Sequence, residues 1–302
     1  MKYCAVVVTY NRKELLKECI NALQNQTIKL DKIIIINNNC TDGTTEYLKD
    51  LELREEDIKH IQLSQNVGGA GGFHEGIKYA YNENYDMFWI MDDDTIPYNN
   101  SFEELLKCSE NPLCDKYGFI CSHVEWIDGT ACNMNIPAVT SDWNSYLKND
   151  IIKVKNSSFV SVVFNRSVIE EFGLPIKEFF IWGDDTEFTL RISKKLQGYM
   201  AINSVVQHKM NANHGISFVN EEKGRIDRYF YRYRNKFYIA KKSSVKSIIN
   251  YFKMILLSVF QIIFSNSNHK IKKILIILKG FTYGLFFNPS VEQLSKQSMP
   301  DN

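Results

Sequence analysis

An open α/β sheet is the fold class that this sequence predicts, on three observations. Four short apolar runs end near positions 9, 36, 63 and 91, about 27 residues apart, which is one strand–helix unit each time. The runs are continuous rather than alternating, as in parallel strands buried on both faces. A polar cluster follows each run, at the carboxyl ends of the strands where ligands of such sheets bind.

Tyr3–Val8 is the first strand. A helix follows, with Asn11 as its expected cap, Glu14 three residues on, and Leu15, Leu16, Cys19, Ile20 and Leu23 on one face. Ile33–Ile36 is the second strand, and Asp42 is expected to cap a short helix carrying Tyr47, Leu48 and Leu51. Ile58–Leu63 is the third strand; a glycine-rich turn, Gly68–Gly72, then opens a helix to about Tyr81. Met87–Met91 is the fourth. Residues 96–160 carry mixed signals up to a strand at Phe159–Phe164. Beyond it the pattern predicts a helix from Arg166 to Gly173, a helix from Gly183 through Leu196, and an edge strand over Gly198–Val206.

The 302 residues, 44% hydrophobic and 24% charged, describe a globular chain and exclude a disordered or collagen-like one. The formal charge of +1 conceals a segregation. Residues 223–302 hold 15 Lys/Arg against 3 Asp/Glu, so the tail is strongly basic and the body acidic. Such asymmetry points to contact with a membrane or a polyanion at one end. The reading divides the chain into residues 1–220, an α/β body, and 221–302, a helical region. Seven cysteines without a C-x-x-C pair fit a reducing compartment, and the N-terminus shows no secretory leader pattern.

In the tail, Arg228–Arg234 alternates arginine with aromatics. Residues 247–264 place Ile248, Ile249, Phe252, Ile255, Leu256, Val259, Phe260 and Ile263 on one helical face, and Ile274–Phe287 is a second apolar stretch beside lysines. Such helices suit a membrane surface. The alternatives are ordinary packing or a dimer interface, and a bilayer span, for which Asn250, Lys253 and Gln261 are poor interruptions.

Asp92-Asp93-Asp94 follows the fourth strand. Adjacent carboxylates are costly to desolvate unpaired, and a divalent cation relieves the repulsion. Alternate residues at a strand end face the same way, so Asp92 and Asp94 are placed to share a metal that clamps a diphosphate. A solvated acidic loop is the alternative. Asp184, Asp185 and Glu187 follow the aromatic run Phe179–Trp182 and open a helix. The helix dipole accounts for some of these acids, while a carboxylate desolvated beside apolar neighbours becomes a better base. Trp182 and Phe180 offer a platform for a sugar ring. His208 is placed to complete the metal shell, with His214 as a rival. Asn66–Phe73 (NVGGAGGF) suits either a phosphate or a tight helix–sheet contact, and lacks the spacing of the P-loop and of the dinucleotide fingerprint. Asn37–Gly43 is not a calcium loop, because Gly43 is not sixth from Asn37, and a loop starting at Asn38 would end on Lys49 rather than Glu.

In order, VVVTYNR (6–12), NNNCTDGT (37–44), NVGGAGGF (66–73), MDDDT (91–95), FNRSVIEEFGLP (164–175) and FFIWGDDTEFTLR (179–191) resemble a family 2 glycosyltransferase of the GT-A fold. The resemblance covers most of residues 1–220. It implies a Rossmann-like open mixed sheet flanked by helices, and transfer of a sugar from a nucleoside diphosphate donor. Thr9, Asn11, Asn37 and Asp42 match positions lining the nucleotide pocket, to which Gly68, Gly69 and Asp93 are added as donor-binding candidates. Asp92 and Asp94 match the D-x-D pair that holds Mn²⁺ or Mg²⁺, and His208 matches a histidine that joins the shell. Asp185 matches the base for the acceptor hydroxyl, with Trp182 and Asp184 expected at the acceptor. Most relatives have Asp where this chain has Asn37, which removes a charge near the base or ribose.

GGAGGF, DDD, the Trp-preceded DD-x-E-F and the tail segments RYFYRYRNKFY and KGFTYGLF look most like the galactofuranosyltransferase and rhamnosyltransferase branch. The expectation is therefore an inverting, metal-dependent transferase that moves galactofuranose from UDP-galactofuranose onto a glycan or lipid-linked glycan in bacterial surface polysaccharide synthesis. A rhamnosyltransferase using dTDP-rhamnose is the runner-up. The expected setting is cytoplasmic, peripheral on the inner face of the membrane, with no nucleic-acid partner and with a homo-oligomer open. A nucleotidyltransferase would carry a basic glycine-rich signature near its N-terminus, which VVVTYNR is not. A non-catalytic nucleotide-sugar-binding protein would not need Asp92, Asp94 and Asp185 intact.

Overall fold

The computed structural model describes residues 1–213 and 217–294. β1 (Tyr3–Thr9), β2 (Lys32–Asn37), β3 (Ile58–Gln62) and β4 (Met87–Asp92) are parallel, in the order β3-β2-β1-β4. The connecting helices are α1 (Lys13–Gln24), α2 (Thr44–Arg54) and α3 (Gly68–Asn82). Because side chains alternate across a strand, β1 feeds two cores. Ala5 and Val7 pack with Leu16, Ile20, Trp89 and Phe102 on one face; Cys4, Val6 and Val8 pack with Phe73, Ile77 and Phe88 on the other. α3 presses hard on the sheet: a Cβ at Gly72 would stand 2.4 Å from Val8, and one at Gly76 2.4 Å from Val6.

The mixed-signal region holds β5 (Thr95–Pro97), α4 (Ser101–Glu110), β6 (Phe119–Glu125), an irregular excursion and β7 (Ile151–Val154). β8 (Val162–Asn165) is shorter than the strand expected from Phe159, and α5 (Arg166–Phe172) follows it. α6 (Asp184–Ile192) ends before Leu196. β9 (Gly198–His208) corrects one expectation. It is no edge strand: it pairs with β6 on one side and with β7 and β5 on the other. Its alternating polarity reports a half-covered face, which sequence does not distinguish from an open edge. β9 runs parallel to β6, and the antiparallel β8 joins β6 to β4, so His208 ends at the same sheet edge as Asp92.

α7 (Tyr229–Ser243), α8 (Val245–Phe264) and α9 (Lys270–Phe286) form the tail. Gly280 and Gly284 let α9 lie against the backbone of α7. Lys273 is fully buried and donates to Val219 O (2.7 Å) and Ser267 Oγ (3.0 Å), closing the α8–α9 turn onto the segment before α7. The outer sides are bare: Leu256 is 70% exposed, Phe264 73% and Phe286 87%. Among the described residues α8 is the one helix long and apolar enough to cross a membrane, its polar interruptions notwithstanding. The chain then returns to the body. Glu292 O accepts from Leu174 N (2.9 Å), and its carboxylate meets His74 Nε2 (3.1 Å) and Lys78 Nζ (2.7 Å).

Candidate active site

Asp92, Asp94 and His208 each offer one ligand atom, and these atoms lie within 4.8 Å of one another. His208 Nε2 is 3.1 Å from Asp94 Oδ1, and its Nδ1 is 2.9 Å from Asn135 Oδ1, which orients the ring. Two carboxylates and an imidazole suit Mg²⁺ or Mn²⁺, and the half-closed trio leaves coordination positions for substrate oxygens. The donor set therefore fits the divalent ion that the resemblance implies. His214, the rival ligand, lies outside the described residues. Asp93 faces the other way: Thr9 Oγ1 donates to it (2.8 Å), and Arg12 pairs with it (3.2 Å) and with Asp94.

Crowding shapes the electrostatics. Burial, then the charge of Asp94, pushes the Asp92 carboxyl up to about 7; burial pushes Asp93 up to about 6. Burial opposes the charge on His208, but its hydrogen bond to Asp94 outweighs this and raises it to about 10, while Asp94 is held low against burial by the same bond. Raised carboxyls bind protons more tightly folded than unfolded. Their contribution to stability is complete below the ordinary 3.8 and is lost as pH rises through 6 to 7; His208 acts in the same direction above 6.5. Metal-free protein is thus expected to melt several degrees lower at pH 8 than at pH 6, and Mn²⁺ to raise the melting temperature more at pH 8. Equal metal-induced shifts at both pH values in a thermal scan would count against this trio as the site.

The second acidic cluster stands at the start of α6. Burial, Asp185 and, more weakly, Asp92 push the Asp184 carboxyl well above the usual range, so both clusters share one field. Burial likewise raises Asp185, whose Oδ1 accepts from Thr186 N (2.5 Å). The approach to these acids is strained. Phe180 (φ 64°), Trp182 (φ 65°) and Gly183 (φ 90°) all take positive φ, and Ile181 N closes a three-residue turn onto Phe179 O (2.7 Å). Two contacts hold that shape. Asn235 of α7, fully buried, donates to the carbonyls of Phe179 (3.0 Å), Ile181 (3.1 Å) and Trp182 (2.8 Å). Phe180 O accepts from Ala70 N (3.2 Å), and Gly68 (φ +75°) lets it approach, since a Cβ there would lie 1.9 Å from that oxygen.

Thr9, Gly68, Asp92–Asp94, Trp182–Asp185 and His208 thus gather at one edge. Gly69 has open space around it. Asn11 does not cap α1; it takes φ 53° and accepts from Thr41 N (2.7 Å). Asp42 bridges two helix starts, accepting from Lys13 N (3.1 Å) and Thr44 N (3.2 Å). Asn37, expected at the nucleotide pocket, has no exposed surface, and its side chain bonds Cys40 N, Thr45 and His60. Sequence reasoning missed Arg12, Asn38, Asn135 and Asn235. Asn38 donates to Gly68 O (2.9 Å) and accepts from Val67 N (2.8 Å), pinning the glycine loop. Arg12, Asn38 and Asn235 lie inside segments that carry the resemblance, whereas Asn135 has no local signal.

Residues 4–142 match the family model described as glycosyl transferase family 2. Among curated proteins the chain is 25% identical to galactofuranosyltransferase GlfT1 of Mycolicibacterium smegmatis over 63% of this chain and 64% of that one. It is 26% identical to GlfT1 of Mycobacterium tuberculosis over 62% and 63%. It therefore spans just under two thirds of the length of these relatives. Solved structures of S. aureus TarS (residues 1–349) align over 95% of this chain and 72% of theirs, with TM-score 0.57 and 14% identity. GalNAc-T7 with UDP, GalNAc and Mn²⁺ aligns over 85% and 55%, with TM-score 0.57 and 13% identity. Residues 4–142, just under half of the chain, thus resemble the family 2 glycosyltransferases, and the sheet order agrees with the GT-A fold of these solved structures.

Proposed function

We propose that the protein is an inverting glycosyltransferase that moves a hexose, galactofuranose from UDP-galactofuranose, onto a hydroxyl of a lipid-linked glycan. The observation that supports this best is the pairing of a metal-suited trio, Asp92, Asp94 and His208, with a separate buried carboxyl pair, Asp184 and Asp185, at one sheet edge. Thr9, Asp93 and the Gly68–Gly69 turn flank the donor side. Asp92, Asp94 and His208 would hold Mn²⁺ or Mg²⁺, whose charge stabilises the departing diphosphate. Asp185 takes the proton from the acceptor hydroxyl, which then attacks the anomeric carbon opposite the leaving group in a single displacement. Trp182 supplies the apolar face on which the acceptor ring is oriented, with Asp184 beside it. The GlfT1 relatives favour galactofuranose. UDP release from a panel of sugar donors, with Mn²⁺ and then with EDTA, tests the reading. Release only from UDP-galactofuranose and only with metal is expected; release from another donor transfers the assignment to that sugar, and none from any donor overturns it.

The tail adds a surface reading. α8 and α9 present bare apolar sides rimmed by Lys253, Lys270, Lys272 and Lys279, which suits the cytoplasmic face of an anionic membrane. The burial of Tyr251 and Ile262 against neighbouring helices favours a surface position of α8 over a span. The paired changes Leu256→Glu and Phe260→Glu should lower partitioning onto anionic vesicles at least about tenfold in flotation assays, since each removes a large exposed apolar side chain from the contact.

A further inference from the structure

Lys223, Arg225 and Arg228 lie on the segment that leads into α7. The Arg228 guanidinium sits 5.6 Å over the Trp182 ring. Nearby acids are engaged elsewhere: Glu221 accepts from Tyr229 OH (2.9 Å), and Asp227 pairs with Lys272 of α9 (2.8 Å). Among the described residues no carboxylate pairs with Arg225 or Arg228. Arg12, committed to Asp93 and Asp94, adds its charge from the other side; partial burial and the charges of Arg225 and Arg12 lower the Arg228 pKa. Two guanidiniums without an ion-pair partner among the described residues thus stand next to an aromatic platform, with the charge of Glu221 offsetting that of Arg228 in part. A donor diphosphate has its counter-charge at the Asp92–Asp94–His208 metal position. The arginine pair is left for a second anion.

The identity of that anion follows from what adjoins it. The Asp227–Lys272 pair fixes the arginine segment to α9, whose Ile271 is 78% exposed, and α9 continues into the bare side of α8. A ligand spanning these features has a sugar for Trp182, phosphate for the arginines and a long apolar chain for the helices. We propose that Arg225 and Arg228 form a subsite for the diphosphate of a lipid-linked acceptor, with its chain along α8 and α9. Guanidinium forks match phosphate oxygens in pairs, which a single ammonium does not. The subsite deepens the transferase reading and rests on it for the sugar transfer, though not for the binding.

The test is calorimetry on the full chain with the donor site filled by saturating UDP and Mn²⁺. Farnesyl diphosphate, farnesol and glycerol 3-phosphate are the probes. Farnesyl diphosphate is expected to bind at least about tenfold more tightly than either of the others. The double change Arg225→Gln, Arg228→Gln should erase that preference, with UDP affinity and melting temperature retained. If the double variant melts early, Arg228→Lys serves instead and should give an intermediate preference. Equal binding of farnesol and farnesyl diphosphate by the unmodified chain overturns the proposal. So does a double variant that loses UDP affinity but keeps the preference, which would assign the pair to the donor. Glycerol 3-phosphate binding as tightly as farnesyl diphosphate overturns the lipid part. Should the preference appear while no donor is turned over, the subsite stands and the transferase reading falls.

Discussion

Asp185→Asn is expected to lower turnover by about 10²–10⁴-fold, the usual contribution of a positioned base, while UDP affinity and the melting temperature stay near those of the unmodified chain. Asn preserves the shape, and its amide oxygen still accepts from Thr186 N. What disappears is a carboxylate able to take a proton. Burial raises this carboxyl, so the intact enzyme should gain activity as pH rises, with a limb absent from the variant's residual activity. Asp184→Asn is the internal comparison. It too lies buried at the helix start and senses Asp92, but is expected to affect acceptor KM more than kcat. If Asp184→Asn loses turnover and Asp185→Asn keeps it within a few-fold, the base is one residue earlier.

Gly68→Ala is expected to cost about 2–4 kcal/mol in urea unfolding, from forcing an L side chain into a left-handed backbone and from overpacking. The neighbour it meets is the Phe180 carbonyl, a backbone atom that cannot rotate away. Moving it breaks the bond to Ala70 N and shifts the turn that carries Trp182 and Asp185, so kcat should fall beyond what the stability loss accounts for. Gly69→Ala is the matched control. A Cβ there meets nothing within 4 Å, so stability should change by less than about 0.5 kcal/mol. Equal losses at both positions, measured by the same unfolding curves, would remove the Phe180 contact as the cause.

The parallel half of the fold was legible because buried strands leave a continuous apolar trace: Val6–Val8, Ile33–Ile36 and Phe88–Met91 need no context. β5 and β7, of three and four residues, are held by pairing with β9, and such long-range pairing has no local signature. In the site, Asp92, Asp94 and Asp185 were legible because clustered carboxylates demand a reason. Asn135 and Asn235 were not, because an isolated asparagine is ordinary on a surface and becomes informative only when burial shows which groups it bonds. Asn11 leaves α1 uncapped and bonds Thr41 N for a related reason, while Asp42 accepts at the start of α2 as expected and at the start of α1 besides. Each side chain has several backbone donors within reach, and the fold selects between them.

The return of the chain to Glu292 has a consequence for how the molecule is made. Asn235 shapes the turn that ends at Asp184, and the segment through Glu292 closes over His74 and Leu174, helices and turns synthesised far earlier. A nascent chain on the ribosome has its acidic edge long before it has these restraints. On the transferase reading proposed above, such a chain would hold a cation and a nucleotide without a formed acceptor side, and transfer would begin only with the last-made part of the described chain. Reporter fusions that stall translation before and after residue 235 would see donor binding precede transfer in time.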